Sequence, residues 1–283
     1  MVNRREFSQI LAGGLAASSS FAAKIDSHVN GVWIGAQSYS FRDRDFDKCL
    51  EGMKEVGLGE MEMWQGHAEP KGMKEAELSK WRLETPLSHF ENLRKQADAA
   101  GVTIYAYNYS FRENFTDKEI ARGFEMAKAL GCKVITASSN VSTAKRIDPF
   151  AKKAKIRVGM HNHSRIHENE YARPEDFAQA MAGTSEYICV NLDIGHFTAA
   201  NFDAVDYLSK HHERIVTLHI KDRKKDQGAN VSFGEGDTPI KAVLQLLKTK
   251  KYKIPANIEY EYKGADTIAE MKKCFAYCKE AAS

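Results

Sequence analysis

The stretch Tyr187–His196, YICVNLDIGH, reads as a buried strand that ends abruptly in two metal-binding side chains, Asp193 and His196. Two later runs repeat the pattern: Thr217–Asp222, TLHIKD, delivers His219, and Ala256–Glu259, ANIE, delivers Glu259. In parallel α/β proteins ligands collect at strand ends, because several strands present their last side chains to one rim. Carboxylate and imidazole ligands arriving on separate strands suit a hard or borderline divalent ion. A metal-dependent enzyme is the reading this pattern sets up.

Outward from these runs, a strand-then-helix alternation fills the chain. Apolar or β-branched runs begin near Val32, Met61, Val102, Val134, Val158, Ile188, Val216 and Ala256. Between them lie stretches of helical periodicity. Phe46, Leu50, Met53 and Val56 share one face, and Thr116–Leu130 opens with the capping box TDKE before Ile120, Phe124, Met126, Ala127 and Leu130. Ala204–His212, Ile240–Leu247 and Ile268–Cys278 behave likewise, and Gly57, Gly101 and Gly131 stand where helices should stop. No Gly-rich phosphate loop follows the first strand, which argues against a dinucleotide fold. The expectation is a single-domain (β/α)8 TIM barrel over residues 24–283. About twenty residues separate strands four and five, with Pro149 among them, so the helix there is expected to be short. The long polar loop Ala68–Pro86 is a candidate lid over the rim.

The first residues stand apart. Asn3-Arg4-Arg5-Glu6-Phe7, the weakly apolar Ile10–Ala17 and the small-x-Ala site Ser20-Phe21-Ala22 are expected to form a twin-arginine export signal over residues 1–23. The apolar run is too short to span a bilayer. The mature protein is therefore expected in the periplasm or exported, without a membrane anchor. At 283 residues with a formal charge of +3, the chain offers no basic face for nucleic acid, and Arg223–Lys225 reads as a solvated loop. Cys49, Cys132, Cys189, Cys274 and Cys278 are an odd number without CxxC spacing, so they read as buried small hydrophobes. The histidines outside the strand ends, His28, His89, His167, His211 and His212, are expected to be solvated.

Period-2 alternation places His161 with His163, Glu60 with Glu62, and Glu259 with Glu261 on common faces. Asp193, His219, Glu259 and one histidine of strand five can then converge on one ion, a mixed set suited to Mn, Zn, Co or Fe. Glu261 is expected to face the helix layer or a neighbouring strand. Tyr39, Trp64, His67, Asn108, His196 and Lys221 are candidates to line a substrate pocket, aromatic rings stacking on sugar faces and polar tips bonding hydroxyls.

DIGH after strand six, HIKD after strand seven, GEG at Gly234–Gly236 and IE on strand eight resemble the sugar-phosphate isomerase/epimerase family, whose xylose isomerase-like TIM barrel is shared with AP endonuclease IV. The resemblance runs along the mature chain and is most specific over the last four strands. It implies a metal held by a strand-five Glu, the Asp of DxGH, the strand-seven His and the strand-eight Glu; Asp193, His219 and Glu259 match. Strand five departs from the pattern with His161-Asn162-His163, so His161 is the candidate fourth ligand. The family's proton-shuttling pair of glutamates is then incomplete, and its role is expected to pass to His163 or Glu62.

The implied chemistry is chelation of a carbonyl and an adjacent hydroxyl by one divalent ion, which acidifies the intervening carbon by stabilising the enediolate. Returning the proton gives an isomerase or epimerase; expelling a β-substituent gives a lyase. Export and the lack of a phosphate nest favour a small unphosphorylated carbohydrate or an oxidised (3-keto) glycoside. An isomerase/epimerase is the primary expectation, a 3-keto-glycoside lyase or hydratase the second, and a non-catalytic sugar-binding barrel the third. The DNA-repair class is set aside, because Asn108 and the sequence Asp222-Arg223-Lys224 do not complete a three-metal cluster.

Overall fold

Eight parallel strands close on themselves: β1 Val32–Gln37, β2 Glu60–Trp64, β3 Thr103–Asn108, β4 Val134–Ala137, β5 Arg157–His161, β6 Ile188–Asp193, β7 Ile215–Ile220 and β8 Ala256–Ile258. Each pairs with its neighbour in chain order, β8 returns to β1, and the ring is complete. The protein is a TIM barrel, seen here in a computed structural model that describes residues 23–283. The expected signal segment, residues 1–23, lies outside the described residues except for Ala23. Among the described residues no helix is long and apolar enough to cross a membrane.

The helices fall where apolar periodicity places them. Phe46–Val56 starts on the Asp45 cap and ends at Gly57, whose φ of 89° is a left-handed conformation that glycine adopts without strain. Asp117–Ala129 carries the capping box, with Thr116 and Glu119 bonding each other's backbone. Two register shifts mark the barrel, one between Met61 and Glu62 against β3 and one between Val190 and Asn191 against β7. Such bulges re-aim side chains, and both lie one or two residues below strand-end functional groups.

The apolar interior divides into two. One large cluster packs strands against helices, and a small separate one, Ala106, Val134, Cys189 and Val216 with Tyr105, floors the lumen. Above that floor the lumen is polar: Gln37, Glu62, Thr136, Asn191, Thr217, His219 and Asn257 are all essentially buried. Every cysteine is a free, buried thiol, as the irregular spacing implied.

Three expectations need correction. The helix between β4 and β5, Ala144–Ala154, is eleven residues long rather than short. Pro149 sits inside it and forfeits one backbone bond, while Ala144, Ile147 and Ala151 still form a buried face. The stretch Ala68–Pro86 is not a loose lid, because most of it is the helix Glu75–Glu84. That helix is pinned by Arg82, whose Nε and Nη2 each donate at 2.7 Å to the buried carboxylate of Glu69, with the guanidinium also over the Tyr109 and Phe115 rings. Arg82→Ala strands that carboxylate in the interior and is expected to cost about 3–5 kcal/mol, read as a lower urea midpoint at unchanged m-value. Finally, His89 is half-buried between Trp81 and Phe90 and bonds the Ala68 carbonyl, so it packs instead of standing in solvent.

Candidate metal centre and active site

The strand ends earn their convergence locally. Asp193 ends β6 and caps the six-residue helix Ile194–Ala199: its Oδ1 accepts from His196 N at 2.6 Å, which leaves Oδ2 free to face the lumen axis. Asn162, the middle of the HNH run, accepts from Asp193 N at 3.0 Å and donates to its carbonyl at 3.1 Å, clamping the ends of β5 and β6 together. Ser138 at the end of β4 lies 3.2 Å from His161 Nδ1 and turns Nε2 inward, 3.5 Å from Asp193 Oδ2. From β7, His219 places Nδ1 3.1 Å from Glu259 Oε2 and 3.9 Å from Asp193 Oδ2.

One atom from each of His161, Asp193, His219 and Glu259 thus lies within 4.8 Å of all the others, and all four residues are buried. Those atoms, Nε2, Oδ2, Nδ1 and Oε2, have no aligned hydrogen-bond partner. Buried polar atoms are ordinarily paired; here the two imidazole nitrogens have no aligned partner and the two carboxylate oxygens are met by one ammonium, which leaves lone pairs to spare for an ion. Four ligands about 2.1 Å from one tetrahedral centre stand roughly 3.4 Å apart, and the separations here run from 3.1 Å to no more than 4.8 Å. Two imidazoles with two carboxylates fit a borderline divalent metal.

Lys221 crosses beside this group, only 2% exposed, with Nζ 2.7 Å from Glu259 Oε2, 3.1 Å from Asp193 Oδ2 and 2.5 Å from Glu261 Oε2. Burial opposes its charge, but the three carboxylates outweigh that and raise its pKa. Burial likewise would raise the carboxyl pKa values. His196 and Lys221 beside Asp193, and Lys221 and His219 beside Glu259, hold both well below the usual range. His196 is pushed well below an ordinary histidine by burial, with Lys221 and His161 adding to it. Arg223 donates to His196 Nδ1 at 2.7 Å, and the Lys221 ammonium lies 3.2 Å from Nε2, so both ring nitrogens face a cation.

Two glycines make the motifs work. A Cβ on Gly195, the glycine of DIGH, would lie 2.3 Å from Lys221 Cγ and 2.8 Å from its carbonyl oxygen. The lysine of HIKD reaches the site only because that position is bare. Gly195→Ala is expected to cost about 1–3 kcal/mol by overpacking, measured as a loss in denaturant midpoint. A Cβ on Gly236 of GEG would strike the Asp222 carboxylate, which accepts from the backbone of Gly234, Gly236 and Thr238. Asp222 is thereby a loop anchor.

Above the four ligand atoms opens a cavity of about 350 Å³ lined by Gln37, Tyr39, Trp64, Asn108, Ser138, His161, His163, His196, His219, Lys221, Glu259 and Glu261. Tyr39 and Trp64 meet edge to face at 5.1 Å, with the Arg42 guanidinium over the Tyr39 ring. His163 stands exposed at the mouth, its ring 5.0 Å from that of His161; packing, with His161 adding, pushes its pKa down. Of the residues singled out in the sequence, Tyr39, Trp64, Asn108, His196, Lys221 and His163 therefore share one cavity with His161, His219 and Glu259, while Asp193 is wholly buried beside them.

Two do not. His67 is buried behind Trp64, its Nδ1 2.9 Å from Ser38 Oγ, because the chain turns into a short helix at Gln65 and carries it off the rim. Glu62 lies in the polar layer beneath the cavity, with no exposed surface. Glu261 departs from expectation the other way. The alternation that turns Asn257 and Glu259 inward continues past the strand, so it lines the cavity beside Lys221 instead of facing helices. Arg223 is likewise no solvated loop residue, since it is held by His196, Ser164 and the Gly228 carbonyl. Ser138 and Gln37 carried no sequence signal beyond their place at strand ends.

Residues 50–280 match the xylose isomerase-like TIM-barrel family, and the chain belongs to it. Among solved structures, it is similar to a sugar phosphate isomerase/epimerase from Parabacteroides distasonis, at 21% identity over 93% of this chain and 98% of that one, with a TM-score of 0.64. It is similar also to the 3-keto-D-glucoside 4-epimerase of E. coli, at 13% identity over 88% and 99%, with a TM-score of 0.68. A third is the IolI protein in a structure with a zinc atom, at 14% identity over 89% and 98%, with a TM-score of 0.66. At such identities the likeness establishes the fold. No curated protein matches the sequence.

Proposed function

We propose that the protein is an isomerase or epimerase of small unphosphorylated sugars, dependent on one divalent metal ion held by His161, Asp193, His219 and Glu259. The observation that carries this reading is the set of four buried ligand atoms, one each from His161, Asp193, His219 and Glu259, that lie within 4.8 Å of one another. A divalent ion there supplies Lewis acidity for a carbonyl and its neighbouring hydroxyl. The chain does the rest. Trp64 and Tyr39 offer apolar ring surface to a sugar, and Asn108 and His196 bond its oxygens. His163 at the mouth serves one face of the carbon between them, taking its proton or returning one. The cations at the cavity, Lys221 and Arg223, are already engaged by carboxylates and by His196, which favours a neutral substrate over a phosphorylated one. Export directed by residues 1–23 belongs to the same proposal, since free sugars are met outside the cytoplasm.

A second reading follows from His161, which stands where the family pattern has a proton-moving Glu. Elimination or hydration at a 3-keto glycoside needs one base where epimerisation needs two faces served. One experiment separates the readings. Purified protein is assayed for bound metal, then incubated in deuterated water with free and 3-keto sugars and followed by NMR. Deuterium entering an epimerised or isomerised sugar is the expected result. Loss of a substituent assigns the lyase, and bound metal with no exchange in any sugar leaves a binding barrel and overturns the proposal.

A further inference from the structure

The polar layer below the metal group has a function of its own. Glu62 leaves β2 just past the register shift and enters the lumen wholly buried. Its Oε1 accepts from Gln37 Nε2 at 2.7 Å and Thr136 Oγ1 at 2.5 Å, and its Oε2 lies 2.9 Å from His219 Nε2 and 3.3 Å from Asn257 Nδ2. The His219 ring stands between this carboxylate and the cavity, so Glu62 has no line to a substrate carbon.

We infer that Glu62 is the positioning residue for the metal site: it fixes His219 with its proton on Nε2 and its bare Nδ1 facing Asp193 and Glu259. The inference rests on the metal reading above and deepens it. Neutral imidazole carries one N–H, and a ligand nitrogen must be the other. His219 has a carboxylate at each nitrogen, Glu62 at 2.9 Å from Nε2 and Glu259 at 3.1 Å from Nδ1; an ion taken by Nδ1 and Glu259 together would leave the ring proton on Nε2, toward Glu62. Asn191 has its amide nitrogen 3.1 Å from the same Nε2 and its Oδ1 unpaired; a proton on Nε2 requires the amide turned by half, which also gives Oδ1 its partner. Carboxylates behind ligating histidines orient the ring and raise its basicity, and their loss typically weakens metal affinity about 10- to 100-fold.

The test compares Glu62→Gln, which keeps the volume and loses the charge, with Glu62→Asp, which keeps the charge and loses volume. Co2+ is titrated into metal-free protein against a chelating dye, and the His219 tautomer is read in the loaded protein from 15N-edited NMR. Affinity should fall about 10- to 100-fold in Glu62→Gln and less in Glu62→Asp, with Nε2–H seen in the wild type. A residue that merely fills space gives the opposite ranking, Gln better than Asp, and that order overturns the inference. So does unchanged Co2+ affinity in Glu62→Gln. If the wild type itself takes up no Co2+, the metal reading falls and this inference with it; the other two failures leave that reading standing.

Discussion

Asp193→Asn is expected to strip the protein of its metal and to lower kcat/KM at least about a thousandfold, the equivalent of roughly 4 kcal/mol of lost Lewis-acid stabilisation. Asparagine is the informative replacement. Asp193 Oδ1 caps the helix after β6, a role worth about 1 kcal/mol that alanine would also remove. Asn keeps an oxygen there and takes away only the negative charge at Oδ2. The backbone around it is held independently by both arms of the Asn162 amide. Lys221 retains Glu259 and Glu261 as partners, so the fold should survive the change. Metal analysis of the purified variant, beside its circular dichroism, decides the matter. A folded Asp193→Asn protein with a full complement of ion would dismiss the site.

His163→Ala should do the reverse, leaving metal content intact while lowering turnover and solvent exchange about 10²- to 10⁴-fold, the usual worth of a positioned acid–base group. The two histidines of HNH differ in surroundings. His161 is buried, bonded through Nδ1 to Ser138, and turns an orphan Nε2 to Asp193. His163 is exposed at the mouth, its backbone N–H tied to Tyr171 O at 2.9 Å and its ring making no hydrogen bond among the described residues. A side chain so held can reach a bound sugar without being needed by the ion. His161→Ala is the matched control and should lose metal. Metal loss in His163→Ala instead would mean that the two roles are exchanged.

Strands and helices with a strong apolar period were legible in the sequence because burial wrote them there. All eight strands follow this logic, and the helix ends at Thr116 and Gly57 were legible from their capping residues. The helix Glu75–Glu84 escaped because it has no apolar stripe; what holds it is the Arg82–Glu69 ion pair, which no periodicity records. The Asn30-Gly31 turn joining His28–Val29 to β1 carried a plain hairpin signal that the strand count passed over. In the site, residue type and alternation pointed to Asp193, His219, Glu259 and one histidine of strand five, and the family resemblance singled out His161; the structure gathers these four within 4.8 Å. Depth was beyond such signals. Glu62 and Glu259 both read as inward carboxylates near strand ends, but only the stagger between strands tells which one reaches the cavity and which lies beneath it. Glu261 was misplaced for a simpler reason: alternation was trusted up to Glu259 and abandoned two residues too soon.

The crossing of Lys221 over Gly195 has a bearing on descent. Two signatures separated along the chain by a whole strand and helix occupy a single volume, so neither drifts alone. A lineage that enlarges the glycine must surrender the lysine's route, and one that discards the lysine releases the glycine from constraint. Kinship judged on both signatures as if they were independent counts one inherited trait as two, and any redesign of this rim has to exchange both together.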